Sequence, residues 1–424
     1  MDESFGLDRA AALALDAQDE LAGFREAFVV AEPGLIYLLA NSLGRLPKAA
    51  AARMAAVVEQ EWGVRLIRGW NEGWMALPQR VGDKVGQLVG ARPGEVLLAD
   101  STSVNLYKLA LAALRARPGR GKILTDDLNF PSDLYILQGV AEAAGQGQRL
   151  QVVPSPDGIH GPVAGLLAAM DEDTALVALS LTLFKSGYTY DMAAVTAAAH
   201  AAGALVLWDL SHAVGALPID LHAAGADLAV GCTYKYLCGG PGAPAFLYVR
   251  QELQEQLHNP VPGWMGQRKP FDLALQYADA PGLARFLSGT PAILSLAAVE
   301  PGVDLLLAAG MARVRAKSAR QTAYLLALWR AFLQPLGFTL KSPLAAEQRG
   351  SHVTFGHPEG LRISQALKEE MRVIPDFRRP DNLRYAVAPL YNSYSELYEA
   401  VQRLAQVVTG RVYARYADDG LAVT

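Results

Sequence analysis

A lysine, two aspartates and a histidine stand just beyond apolar runs in this chain. Asp209 closes ALVLWD and is followed by His212 in DLSHAVG; Lys235 lies one apolar run further on, inside GCTYKYLCGGPG; Asp133 sits in NFPSDLY, after the run KILTDD. A lysine withdrawn from water loses its preference for the charged form, and the neutral amine is a nucleophile able to form a Schiff base with a carbonyl. A carboxylate that ends a buried strand needs a cation or donors beside it. Taken singly, each has a structural reading. Lys235 fits a stem lying along the surface, Asp209 a cap for the next turn and His212 a satisfied core histidine. Pro131, Ser132 and Asp133 fit the start of a helix.

Two further features join them. The run EVLLAD leads into Ser101, Thr102 and Ser103 at a helix start, where hydroxyls and free backbone amides suit a phosphate, although serine and threonine are also ordinary N-caps. Phe130, at the end of another run, offers a flat face for stacking. Together these are what pyridoxal phosphate requires: an amine for a Schiff base, a partner for the pyridine nitrogen, a seat for the phosphate and a wall for the ring. The conjunction points to an aminotransferase-like enzyme of fold type I.

The elements that must position these residues follow from the hydrophobic pattern. Between about 95 and 250, short apolar runs (EVLLAD, KILTDD, ALVALSL, ALVLWDL, DLAVGCTY) alternate with Ala/Leu-rich stretches at helical spacing, among them VNLYKLALAALRA and DMAAVTAAAHAAG. That alternation is the pattern of an α/β domain with a mostly parallel sheet between helices. In such sheets ligands bind beyond the carboxyl ends of the strands. A long amphipathic helix is expected over 311–334, followed by strands FTLKS, SHVTF and LRYAVA and by helices near 361–371 and 394–408. A chain of 424 residues exceeds what one core ordinarily supports. The expected division is an N-terminal segment, 1–50, packing with the small domain; a large cofactor-binding domain, 51–300; and a smaller α/β C-terminal domain, 301–424.

A net charge of -4, from 38 basic and 42 acidic residues well mixed along the chain, leaves no footprint for nucleic acid or an anionic membrane. The N-terminal MDESFGLDRA lacks the positive start of a secretory signal, and no segment approaches a charge-free membrane span, so a cytoplasmic protein is expected. The two cysteines, Cys232 and Cys238, flank the lysine and fit neither a metal site nor a disulfide framework; they read as small packing residues.

Nearly end to end, the chain resembles kynureninase. The matching segments run from LALDAQD near residue 13 through IYLLANSLGRLP, EQEWGVRLIRGWN, NFPSDLY, WDLSHAVGALPIDLHAAGADLAVGCTYKYLCGGPG, GWMG and RGSHVTF to LRYAVAPLYNS and the stretch ending near 400. The resemblance implies a fold type I enzyme with a sheet of the seven-stranded type that hydrolyses the Cβ–Cγ bond of L-kynurenine or 3-hydroxykynurenine. The products would be anthranilate or 3-hydroxyanthranilate and L-alanine, in tryptophan breakdown or NAD biosynthesis. It implies that Lys235 carries the cofactor, that Asp209 pairs with its ring nitrogen, and that Phe130 stacks on the ring with Asp133 and His212 beside it. Thr102, Ser103 and Tyr234 fall at cofactor-site positions, several of them around the phosphate, and Tyr234 is also a candidate proton relay. Trp264 and Thr290 would reach the cofactor of a neighbouring subunit, which implies a homodimer. Arg384 would grip the substrate's α-carboxylate, a task that suits a bidentate fork, and Asn41 and Ser42 lie in a segment brought to the site.

The chain also departs from that family. Bacterial kynureninases commonly carry His-Val-Asn-Tyr before a Lys/Arg-Thr-Gly turn, where this chain has Leu181, Thr182, Leu183 and Phe184. The family's GWFGH and YKYLNGG are here GWMGQ and YKYLCGG, with Met265, Gln267 and Cys238. Cys238 is compatible with packing alone. The other changes are expected near the substrate, where an unpaired polar group can cost orders of magnitude in selectivity. The alternative is therefore a kynureninase-like hydrolase of a ring-modified kynurenine or another γ-oxo amino acid. Cysteine desulfurases share the fold and the Asp-x-x-His pattern, but they need a reactive cysteine on a mobile loop, whereas both cysteines here flank Lys235. A binding protein without chemistry has little reason to keep Lys235, Asp209 and Arg384 together.

Overall fold

The computed structural model describes residues 5–145 and 147–417. Residues 1–4, which open the acidic N-terminus, residue 146, and residues 418–424, the end of the expected last domain, lie outside the described residues. In chain order the strands are β1 (Ile36–Tyr37), β2 (Val96–Leu98), β3 (Lys122–Asp126), β4 (Arg149–Val153), β5 (Thr174–Ser180), β6 (Leu205–Asp209), β7 (Leu228–Gly231) and β8 (Phe246–Val249). They continue with β9 (Thr339–Leu340), β10 (His352–Gly356), β11 (Val373–Ile374), β12 (Asp376–Arg378) and β13 (Asn382–Ala386).

The large sheet has seven strands in the order β2-β8-β7-β6-β5-β3-β4. Only β8 opposes its neighbours; the other pairings are parallel. This is the expected mostly parallel sheet, and its central strands are buried throughout because helices cover both faces. Side chains alternate between two cores, as the two-residue period of a strand requires. From β6, Val206 and Trp208 join one cluster, with Val81 and Val85 of the helix Leu77–Val89 and Val303 of Val299–Ala309. Leu205 and Leu207 join the other, with Leu109 of Thr102–Arg115 and Leu137 of Pro131–Ala144.

A third core lies under a four-stranded antiparallel sheet of order β12-β13-β10-β9. Helices Gly360–Met371 and Tyr394–Thr409, close to the expected ranges, pack on it. The expected helix over 311–334 is regular across Met311–Leu328 and changes pitch through Trp329–Leu336. The N-terminal segment is tied to this part of the chain: β1 pairs with β11, and Asp16 of the helix Arg9–Ala17 accepts from the Tyr394 and Ser395 amides at 2.6 and 3.1 Å. A carboxylate there answers the positive end of the Tyr394–Thr409 helix. Among the described residues no single helix is long and apolar enough to cross a membrane.

Candidate active site

The carboxyl ends of the parallel strands, two helix starts and one strand of the small sheet converge on a single cavity. It is walled by Thr102, Ser103, Phe130 and Asp133 from the helix starts, and by Asp209, His212, Tyr234 and Lys235 beyond β6 and β7. Asn41 and Ser42 close it from the N-terminal segment and Arg384 from β13. Of the catalytic, cofactor-binding and substrate-binding residues expected from the sequence, only Trp264 and Thr290 do not line it. Trp264 is half exposed, its indole N–H donating to the Pro270 carbonyl at 2.6 Å. Thr290 lines a separate cavity with Asp100 and Gly242.

At the centre, Lys235 Nζ lies 2.9 Å from His212 Nε2. Burial, and after it the charge of Lys235, hold His212 well below the usual imidazole range. A neutral ring that accepts from the lysine amine does so through Nε2, which puts the ring proton on Nδ1; this tautomer is assigned from the network. Asp209 bears out its reading as a cap. Its Oδ1 caps the following turn, accepting from the Ser211 amide at 2.9 Å and the Ser211 hydroxyl at 2.6 Å, while the residue faces the cavity. Ser211 was not picked out in the sequence, because its role as clamp appears only when the turn closes.

Asp133 is not the exposed helix cap that its sequence allows. It is buried, hydrogen-bonded to Asp209 and to the Ser180 side chain, and its pKa is raised well above the carboxylate range by burial and then by the charge of Asp209. That direction favours the protonated form of Asp133, with the charge of Lys235 opposing it. Phe130 is partly exposed and meets Phe184 edge to face, centroids 5.2 Å apart. Lys235 Nζ is 6.0 Å from the Phe130 ring centre and 5.9 Å from that of Tyr234. Burial pushes the Tyr234 hydroxyl up, so it remains a proton donor at neutral pH.

The hydroxyl-rich helix start divides its work. Ser101 caps its own helix through the Val104 amide, leaving Thr102 and Ser103 to the cavity; Ser103 Oγ and Ser132 Oγ lie 3.0 Å apart. Ser132, read in the sequence as a turn residue, thus also lines the cavity. The ANSLG segment reaches the site because Gly44 fits flush on the lysine loop: its amide donates to the Tyr234 carbonyl at 2.9 Å, and a Cβ there would come within 2.3 Å of the Lys235 carbonyl oxygen. The buried Asn41 amide has no protein partner on either atom.

Arg384 is buried, pairs with Asp376 of β12 and donates to the Phe184 carbonyl, while its Nε has no protein partner. Burial lowers its pKa to about 9, which leaves it charged at neutral pH. Asp376 also pairs with Arg378 at 3.0 Å, a second guanidinium at the cavity wall. Arg378 escaped the sequence reading because only the pairing of β12 with β13 places it there.

The departures fall differently from expectation. Leu181 and Leu183 point into the core under the large sheet, whereas Phe184, one step out of phase, lines the cavity. The two leucines therefore do not shape the cavity wall. Gln267 ties its own loop together, accepting from the Arg268 and Ala278 amides and donating to the Gln276 carbonyl, and Met265 is buried nearby. Cys238 is buried at φ +55, a left-handed backbone that asparagine adopts more readily than cysteine.

The donor set fits pyridoxal phosphate: one amine, two clustered carboxyl groups, hydroxyls at a helix start, an aromatic face, and the buried, unpartnered side-chain amide of Asn41 at the same cavity. The chain is 45% identical to the kynureninase of Pseudomonas fluorescens over 408 residues, 95% of this chain and 96% of that protein. It belongs to the kynureninase family. The kynureninase of Burkholderia pseudomallei is 43% identical across 94% of this chain and 95% of its own, and the family described as Kynureninase C-terminal domain matches residues 314–404. Among solved structures, the apo cysteine desulfurase of Thermococcus onnurineus NA1 superposes with a TM-score of 0.77 at 19% identity, covering 89% of this chain and 95% of that one. A C-DES mutant with glycine covalently linked to its PLP cofactor gives 0.75 at 22% identity, covering 88% and 97%. These likenesses show the fold type I architecture. The two cysteines here are buried, so this chain lacks the exposed thiol that desulfurase chemistry needs.

Proposed function

We propose that this chain uses pyridoxal phosphate to hydrolyse the Cβ–Cγ bond of L-kynurenine, or of 3-hydroxykynurenine, giving anthranilate or 3-hydroxyanthranilate and L-alanine. The observation that carries the reading is the convergence of Lys235, Asp209 and Arg384 on one cavity in a chain 45% identical to a kynureninase along nearly its whole length. Stoichiometric release of alanine and anthranilate from L-kynurenine tests it. No observation favours a ring-modified kynurenine or another γ-oxo amino acid, since two of the substitutions that suggested one are core leucines.

When bound, pyridoxal phosphate would supply an electron sink that makes the proton at the substrate's Cα removable and lets the Cβ–Cγ bond break once water has added to the γ-carbonyl, so that the side chain leaves as a carboxylic acid. The chain's own groups do the rest. Lys235 Nζ would hold the cofactor and would carry the Cα proton when free; His212 Nε2, 2.9 Å away, holds that amine in place. Asp209, clamped by Ser211 and hydrogen-bonded to Asp133, would present its carboxylate to a protonated ring nitrogen. Phe130 provides the stacking face, and Thr102 and Ser103, with Ser132, line the seat for the phosphate. Arg384 takes the α-carboxylate, Asn41 and Ser42 close over the substrate, and Tyr234 returns a proton late in the reaction.

We also propose a cytoplasmic homodimer in which Trp264 and Thr290 complete the partner's site. Trp62, Ile67, Trp264, Phe271 and Leu273 all expose apolar surface that a partner subunit would cover, and two buried free cysteines suit a reducing compartment. A solution mass near twice 45.3 kDa is expected by sedimentation, and the single-chain mass would contradict the shared site. The same reading divides the chain into 1–50, 51–300 and 301–424, supported by the separate core under the second sheet.

A further inference from the structure

His352, at the start of β10, belongs to the RGSHVTF segment but has no part in the reaction outlined above. Its side chain is completely buried, and neither ring nitrogen has a protein partner at hydrogen-bond geometry. The Lys185 carbonyl is an acceptor near this ring, and it already accepts from the Thr354 hydroxyl at 2.5 Å. The ring packs against the Gly187 turn, where a Cβ would meet His352 Nε2 at 3.2 Å. On its other side it faces His212, with ring centres 6.1 Å apart and planes tilted by 58°.

His212 supplies the matching vacancy in the hydrogen bonding. Its Nε2 meets Lys235, and its Nδ1 is buried without a protein partner. Nδ1 therefore carries a proton with no acceptor, beside a second imidazole with a nitrogen to spare. Buried polar groups are nearly always satisfied, and a bound water bridging two or more of them is the usual means when the gap exceeds one hydrogen bond. The charges that act on the two rings include those of Lys235, Arg384 and Arg378.

We propose that His352 is a positioning residue for Lys235: one bound water joins its ring to His212 Nδ1–H, fixing the His212 tautomer whose Nε2 accepts from the lysine amine. The resulting chain of donors runs from Lys235 Nζ to His212 Nε2, from His212 Nδ1 through the water to His352, and from His352 toward the Lys185 carbonyl. A second-layer partner of this kind decides which proton-bearing form the inner ring presents. The role rests on the kynureninase reading, because it matters only if Lys235 both anchors the cofactor and moves a proton.

The test compares His352→Leu, which removes both ring nitrogens, with His352→Gln, which keeps a donor and an acceptor. In the cofactor-loaded protein, His352→Leu is expected to lower kcat by about tenfold or more with KM nearly unchanged, and His352→Gln to recover most of the loss. The visible absorbance of the loaded protein, titrated with pH, reads the lysine's surroundings without turnover; its midpoint is expected to move by roughly half a pH unit or more in His352→Leu and to stay near the parent value in His352→Gln. Parent-like kcat and titration in His352→Leu would overturn the proposal, as would equal loss in both variants. If His352→Leu does not fold, a crystal structure of the unmodified protein decides: a water within hydrogen-bond distance of both rings supports the role, and a dry contact overturns it. Failure of the parent protein to cleave kynurenine, with the water and the titration shift both present, would sink the reaction and leave the positioning role standing.

Discussion

Replacing Asp209 with alanine is predicted to weaken pyridoxal phosphate binding by about two orders of magnitude. Asp209 is buried and already immobilised by the Ser211 amide and hydroxyl at 2.9 and 2.6 Å, so little ordering cost offsets its attraction for a ring cation. Removing one partner of a buried ion pair costs ~3–5 kcal/mol. Here the loss falls at the low end. Asp133, hydrogen-bonded to Asp209 in the parent and pushed up partly by its charge, ionises more readily once that neighbour is gone and stands in for part of it. About 3 kcal/mol at 1.4 kcal/mol per tenfold gives roughly a 150-fold rise in Kd. Equilibrium dialysis of the cofactor, with visible absorbance as the readout, measures it. Asp133→Ala alone is expected to cost less, and the two losses together to exceed their sum, as for groups that back each other up. A Kd for Asp209→Ala within about threefold of the parent's would refute the assignment of Asp209 to the ring, as would a larger effect from Asp133→Ala.

Lys235→Ala is expected to abolish alanine release while keeping the parent's circular dichroism and solution mass; substantial turnover would overturn the mechanism. The thiols of Cys232 and Cys238, both buried and the second raised to about 12 by burial, are expected to resist a disulfide reagent in the folded protein and to react in denaturant; fast labelling in the native state would contradict the packing. Acid is expected to destabilise the apoprotein through its buried histidines. His352 is lowered from 6.5 to about 3 and His212 is lowered as well, so each binds a proton in the unfolded chain before it can in the fold. The stability they contribute is complete above pH 6.5 and is lost at about 1.4 kcal/mol per histidine per pH unit below it. Asp133 has the opposite sign, its raised pKa costing stability as pH rises. Denaturant midpoints of the apoprotein at two pH values, compared between parent and His352→Gln, isolate one histidine; an unchanged pH slope in the variant would show that His352 is not buried neutral.

Much of this site was legible in the sequence because strand ends and helix starts carry it. Asp209, His212 and Lys235 follow apolar runs that became β6 and β7, and Thr102 and Ser103 open the helix that VNLYKLALAALRA foretold. β4 and β8 were less visible. β4 is an edge strand whose RLQVV is largely exposed, and β8 runs antiparallel, outside the strand-helix alternation that marks the others. Residues fixed by pairing between distant segments were hidden altogether: Arg378 through β12 and β13, and Ser132 through its contact with Ser103. The inward turn of Asp133 was hidden for a related reason, since a first-turn aspartate is compatible with solvent or core until the opposite wall is known. Leu181 and Leu183 show the reverse case. Their difference from the family pattern was plain, but only the strand phase told that they enter the core while Phe184 faces the cavity.

The measurement that bears most directly on the central claim is steady-state cleavage of L-kynurenine and 3-hydroxy-L-kynurenine by the purified, cofactor-loaded protein. The assay follows anthranilate or its hydroxylated analogue together with alanine. Convergence of Lys235, Asp209 and Arg384 on one cavity predicts efficient, equimolar release of both products from at least one of the two substrates, lost in Lys235→Ala. Protein that binds the cofactor at Lys235 yet releases neither product from either substrate would contradict the assignment.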